Sequence, residues 1–201
     1  LVNRSKTGTA YDLTGPPGAP VLVLVHGLGL TRSTWDDFVP VLAKDYRVLT
    51  YDLCGHGQSA VPLAKPSLTV LSEQLVHLMN ELAIPHATII GFSLGGMINR
   101  RFALDHPSRV AALVILNSPH ERSPVAQRLV EERAAQTGAG GPAANIDATL
   151  ERWFTPQFLT NSPEMVARVL PSEQARLYTL IYNRFLASQM KPAISSVTTV
   201  E

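Results

Sequence analysis

Four short runs, Val21–Val25, Tyr46–Tyr51, Ala87–Ile90 and Val110–Leu116, are largely apolar and rich in β-branched residues. A continuous apolar run of this length is a strand covered on both faces. Between them lie segments with helical spacing. Leu71, Leu75, Leu78 and Leu82 fall in register on a helix spanning Leu68 to Leu82. Ser33 to Ala43 carries Trp35, Phe38, Val39 and Leu42 at the same period, with Pro40 predicting a kink or break. A further helix runs from Gly95 to about Asp105. Strands alternating with helices specify a mostly parallel sheet with right-handed crossovers and helices on both faces. A chain of 201 residues suits one such domain with an insertion.

The rhythm changes after Pro119. Residues 121–137 and 162–187 read as helices with no buried strand between them, and Thr137–Ala143 reads as a flexible linker from its glycines. Pro192 to Val200 is strand-like. The expected division is therefore 1–119 for the N-terminal part of the core, 120–190 for a helical cap, and 191–201 for the start of a further core segment. The remaining C-terminal strands are missing from the 201 residues, so a fragment is expected.

Several classes fall away on composition. Seventeen basic and sixteen acidic residues leave a net charge of +1, so no basic field attracts nucleic acid or an anionic membrane. The single cysteine, Cys54, allows neither an intrachain disulfide nor a cysteine-rich zinc site. No apolar run reaches the roughly 18 residues of a membrane span, and the N-terminus shows no apolar signal core. The cytoplasm is the expected compartment. No metal or organic cofactor is expected.

Chemistry enters at Gly91-Phe92-Ser93-Leu94-Gly95, a G-x-S-x-G pattern that follows a buried strand and opens a helix. In such an elbow the serine is held in a strained turn, glycines remove side chains that would clash, and the next N–H faces a developing oxyanion. Ser93 is the candidate nucleophile and the Leu94 N–H one oxyanion donor. His26-Gly27-Leu28-Gly29 ends the first buried strand and supplies the Leu28 N–H as second donor. The third glycine of a dinucleotide loop is absent, since Arg32 stands there, and no G-K-S/T follows either glycine-rich loop. His26 reads as a turn-stabilising residue and is also a candidate for the pocket. Asp52, Cys54 and His56 could suggest a metal, but alternation points such neighbours apart, and a structural turn is the favoured reading.

H-G-x-G, D-x-x-G-H-G-x-S and G-x-S-x-G, in this order, resemble the α/β-hydrolase superfamily over roughly residues 8–190. Gly95–Ile98, His106–Val110 and Arg152–Pro156 are similar to the 3-oxoadipate enol-lactonase and carboxylesterase group. The resemblance implies Ser93 as nucleophile, Leu28 and Leu94 as oxyanion donors, and a cap over the acyl pocket. Cys54 departs from the arginine usual there. In this fold the acid and the histidine follow the serine in the chain. Only His106 and His120 do so here. His106 lies thirteen residues along the helix, roughly 20 Å from Ser93 at about 1.5 Å per residue. His120 is either a substitute base or a cap-hinge residue, and Trp153 and Phe154 are the other pocket candidates. Being consecutive, one of the two should face the cleft and the other the cap's own core.

The expected function is hydrolysis of a small carboxylic ester or lactone through an acyl-enzyme on Ser93, feeble or absent in these 201 residues alone. The alternatives are a non-catalytic binding protein on the same fold, and a perhydrolase or C–C hydrolase with the same nucleophile. The exposed sheet edge at Val110–Leu116 suggests self-association.

Overall fold

A computed structural model describes residues 2–62, 67–121, 123–140, 150–151 and 153–161. The expected helix 162–187, the strand-like 192–200 and the segment 191–201 lie outside the described residues. Six strands form one sheet: β1 (Asn3–Arg4), β2 (Ala10–Thr14), β3 (Val21–Val25), β4 (Arg47–Tyr51), β5 (Ala87–Phe92) and β6 (Val110–Leu116), in the order β1-β2-β4-β3-β5-β6. The three pairings among β3 to β6 are parallel, while β1 and β2 add an antiparallel corner against β4. That corner is new relative to the sequence reading. In β2 only Ala10 is buried, Tyr11 and Leu13 are half-buried, and Asp12 and Thr14 are exposed, so no continuous apolar run announces it.

The parallel pairs are β3 with β4, β3 with β5, and β5 with β6. From β3 the chain crosses to β4 on one side, then back over β3 to β5 on the other. The strand order therefore reverses at β3, and in open parallel sheets the crevice at such a reversal, outside the carboxyl ends, is the ligand site. Val25 is in register with both Tyr51 and Gly91. The loops beginning at His26 and Asp52 and the turn at Ser93 thus leave the same end of the sheet side by side.

The period of two along each strand separates two apolar layers. Val23, Val25, Leu49, Tyr51 and Ile89 face α2 (Leu68–Glu81) and α3 (Leu94–Asp105), packing with Leu71, Leu75, Leu78, Ile98 and Phe102. Leu22, Leu24 and Val48 face the other way, onto Trp35, Val39 and Leu42. Helix α2 starts where the Ser67 hydroxyl accepts the Val70 N–H at 3.1 Å. Its fully buried leucines each contribute roughly 1.5–3 kcal/mol by leaving water.

Ser33 to Ala43 is not one helix. It divides into a 3₁₀ turn, Arg32–Trp35, and α1, Val39–Leu42, with Pro40 in the first turn of α1, where its missing N–H is harmless. Beyond β6, α4 spans Pro124–Gly140 and α5 spans Pro156–Asn161. The linker reading of Thr137–Ala143 is corrected over 137–140, where the helix continues through Gly138 and Gly140; residues 141–143 lie outside the described residues. Among the described residues β6 is the sheet edge, with Leu113, Val114, Ile115 and Leu116 each 36–40% exposed. No helix among them is long and apolar enough to cross a membrane.

Candidate active site

The elbow begins inside β5, which extends through Gly91 and Phe92. Ser93 then takes φ 54° and ψ −111°, a left-handed backbone that a residue with a Cβ adopts only under constraint. Its N–H donates to the Leu116 carbonyl at 2.9 Å, and its carbonyl accepts the Gly96 N–H at 3.1 Å. The glycines are dictated by contact. A Cβ on Gly95 would stand 2.2 Å from the Val25 carbonyl oxygen, and one on Gly91 2.4 Å from the Gly95 carbonyl. Helix α3 therefore sits main chain against main chain on the end of β3. Ser93 is half-buried at its N-terminus.

The His26–Arg32 loop meets this elbow directly. A Cβ on Gly27 would lie 3.1 Å from the Phe92 ring and 3.3 Å from the Ser93 Cβ. Gly29 takes φ 74°, and the Leu30 N–H donates to the Gly27 carbonyl at 3.2 Å, closing a tight turn around Leu28. Among the described residues no hydrogen bond is made by the Leu28 or Leu94 N–H. Two free main-chain donors at a serine on a helix N-terminus suit an anionic oxygen.

His26 does not line a pocket. It is fully buried: Nε2 accepts the Leu53 N–H at 3.0 Å, so Nδ1 carries the proton and donates to the Gly27 carbonyl at 2.7 Å. Burial, reinforced by the neighbouring His56 and Arg32, pushes its pKa down to about 3. His56 packs edge-to-face on it, ring centres 5.3 Å apart, and burial lowers its pKa to about 4. Both rings are neutral and hold the turn. Among the described residues the buried His56 Nε2 has no hydrogen-bond partner.

Asp52, Cys54 and His56 do not converge on a metal position. The fully buried Asp52 carboxylate accepts the Arg32 main-chain N–H at 2.8 Å, the Arg32 guanidinium at 2.5 Å and the Gln58 N–H at 2.8 Å. The Cys54 N–H donates to Gln74 Oε1 at 2.8 Å, while burial pushes the Cys54 thiol up to about 11. Burial alone would lower the Arg32 pKa, but its hydrogen bond to Asp12 and the charges of Asp52 and Asp12 raise it above the ordinary value. Sequence reasoning passed over this Asp52 network. Its signal was the Asp-x-x-Gly-His-Gly spacing: Gly57, at φ 49°, leaves room that a Cβ 2.3 Å from Asp52 Oδ2 would take.

The family described as alpha/beta hydrolase fold matches residues 20–198. The chain belongs to this family. It is 28% identical over 198 residues to 3-oxoadipate enol-lactonase 2 of Acinetobacter baylyi, covering 94% of this chain and 71% of the relative. It is 33% identical over 161 residues to RutD of Stutzerimonas stutzeri, a carbamate hydrolase by name, covering 79% of this chain and 61% of that one. The crystal structure of the enol-lactonase from Burkholderia xenovorans superposes with a TM-score of 0.75 at 28% identity, covering 88% of this chain and 69% of that one. The chain thus spans between three fifths and three quarters of the length of these relatives.

In this alpha/beta hydrolase the two later histidines stand apart from Ser93. His106 caps the far end of α3 and bonds Glu73 Oε1 at 3.0 Å. His120 is exposed, and no hydrogen bond joins it to Ser93 among the described residues. Phe154 stacks on Phe158 with ring centres 5.1 Å apart, and Trp153 is 37% exposed. At the corner after β6, Arg100 donates to the Pro119 carbonyl at 2.6 Å and to the Ser118 hydroxyl at 3.2 Å, beside Asn117 at φ 45°.

Proposed function

We propose that this alpha/beta hydrolase is a serine hydrolase of small carboxylic esters or lactones. The observation that carries the reading is Ser93 at φ 54°, strained at a helix N-terminus beside two free N–H groups. Ser93 Oγ attacks the carbonyl carbon, and the carbonyl π electrons move onto oxygen. The Leu28 and Leu94 N–H groups hold that oxyanion. Collapse expels the alcohol and leaves an acyl-Ser93, which water cleaves to the acid. The relatives named as enol-lactonases, at 28% identity, support a lactone as substrate. The chemistry calls for no metal or organic cofactor.

In the same reading residues 1–119 belong to the core, and α4 and α5 belong to a cap drawn from 120–190. The free Cys54 thiol fits a reducing compartment such as the cytoplasm. Self-association through the exposed β6 edge belongs to the same proposal, and light scattering tests it.

The attack needs a general base, and neither His106 nor His120 is hydrogen-bonded to Ser93. The 201 residues alone should therefore hydrolyse p-nitrophenyl esters feebly. That same observation favours a second reading, a binding protein on a hydrolase fold. Labelling with a fluorophosphonate, followed by peptide mass spectrometry, separates them. A mass shift on the Ser93 peptide that is lost in Ser93→Ala supports the hydrolase; an unlabelled Ser93 under saturating probe removes it.

A further inference from the structure

The loop that carries Leu28 is anchored at both ends to two consecutive residues. At its start, His26 Nε2 accepts the Leu53 N–H at 3.0 Å. At its end, the Arg32 N–H donates to Asp52 Oδ1 at 2.8 Å. The other carboxylate oxygen, Oδ2, is held by the Gln58 N–H and the Arg32 guanidinium. Arg32 in turn reaches Asp12 Oδ2 at 2.6 Å and Gln58 Oε1 at 3.0 Å. The Asp52 main-chain carbonyl is fixed as well, by the Ser59 hydroxyl at 2.6 Å and Gln74 Nε2 at 3.0 Å. A carboxylate so held cannot rotate, and each of its oxygens faces a different partner.

Stability is a weak reason to bury such a charge. A buried ion pair returns little more than its desolvation cost, and a well-packed apolar group often does as well. What a fixed carboxylate supplies is position. Oxyanion donors act over a narrow window, about 2.7–3.1 Å from the developing charge, and the loop passes so near Ser93 that a Cβ on Gly27 would lie 3.3 Å from the Ser93 Cβ. A shift of a few tenths of an ångström in the loop would move the Leu28 N–H out of that window.

We propose that Asp52 is a positioning residue for the oxyanion site: through the Arg32 main-chain N–H it fixes the loop that presents the Leu28 N–H to Ser93. This rests on the reading of Leu28 as a donor. Asp52 touches no reacting atom and acts only through the loop.

Asp52→Asn is the test, because it keeps the shape. Its NH₂ turns toward the single Arg32 main-chain N–H on the Oδ1 side, because the Oδ2 side faces two donors, the Gln58 N–H and the Arg32 guanidinium, and the main-chain anchor of the loop is lost. Arg32→Met is the companion, since it removes the guanidinium but keeps the main-chain N–H on Oδ1. Both are made in the 201-residue chain and read in two ways. The first is the ¹⁵N–¹H resonance of the Leu28 amide. The second is fluorophosphonate labelling of Ser93, resolved into probe affinity and limiting rate. Asp52→Asn should displace the Leu28 resonance and lower the limiting rate by about 10-fold or more, with affinity changed less than about 2-fold. Arg32→Met should leave the Leu28 resonance in place while lowering the melting temperature. An unmoved Leu28 resonance in folded Asp52→Asn overturns the proposal. Should that variant not fold, Arg32→Met decides: a displaced Leu28 resonance there would mean that the guanidinium, not the main-chain anchor, sets the loop. Labelling absent from the unsubstituted chain defeats the nucleophile reading alone, and the Leu28 resonance still decides the role of Asp52.

Discussion

Acid should loosen this protein already between pH 7 and pH 5, because His26 and His56 are folded in as neutral rings. Burial is the chief cause in both, and it lowers their pKa values from 6.5 to about 3 and about 4. For a group with a depressed folded pKa, the unfolded chain binds more protons below the unfolded pKa. The native state therefore holds its full advantage above about pH 6.5 and loses it as pH falls toward 4. At pH 5 each unfolded ring lies 1.5 units below its own pKa while the folded ring stays neutral. At about 1.36 kcal/mol per unit, each histidine then costs about 2 kcal/mol, and the pair about 4 kcal/mol. Ordinary carboxylates contribute little over the same range, since they titrate near or below pH 4. That loss is a large share of a typical stability of about 5–15 kcal/mol. Urea unfolding at pH 7 and pH 5, followed by the fluorescence of the buried Trp35, measures it directly. His56→Leu removes one titrating ring together with its unpartnered Nε2, and should roughly halve the pH-dependent loss. A midpoint that barely moves between pH 7 and pH 5 in the unsubstituted chain would refute the buried-neutral pair. So would a His56→Leu variant with an unchanged pH slope.

Ser93→Gly should raise stability by about 1–3 kcal/mol in the same urea assay, since glycine adopts φ 54° without strain, and should abolish fluorophosphonate labelling. A destabilised Ser93→Gly would contradict the strain. Gly95→Ala should cost about 3 kcal/mol or more, because its Cβ meets the Val25 carbonyl at 2.2 Å; thermal melting with no loss would show that α3 can slide. Cys54, with its thiol pushed up to about 11 from 9.0, should react with iodoacetamide at pH 8 about 100-fold more slowly than an unperturbed thiol, and at the ordinary rate in urea. Fast alkylation of the native chain would show that the thiol is not buried as described.

The parallel part of the fold was legible because β3, β4 and β5 are covered on both sides and a two-sided strand is a continuous apolar word; β6 is as apolar in sequence, although among the described residues it stands exposed. β1 and β2 were not legible, since Asn3–Arg4 is two exposed residues and β2 buries only Ala10 fully. The elbow was legible down to its backbone strain, because glycines at both ends of a serine turn encode a steric demand that is local. The Asp52 network was not, as its partners Asp12 and Arg32 lie forty and twenty residues away and meet only when β2 folds against β4. Glycines also misled: Gly138 and Gly140 read as a linker, yet α4 continues through them. Intrinsic propensity costs only about 1 kcal/mol per glycine, which a long helix can absorb.

The contact of Gly95 with the Val25 carbonyl has a consequence for anyone who would redesign this enzyme. The spacing between β3 and α3 is a main-chain dimension, with no side chain between them to enlarge or trim. A library that randomises side chains around Ser93 would sample shapes and polarities of its surroundings. The reach from β3 to Ser93 would be inherited unchanged by every member. New substrate preferences should then be sought in residues that border the cleft, and rate defects should map to changes in chain path, such as insertions between Gly27 and Arg32.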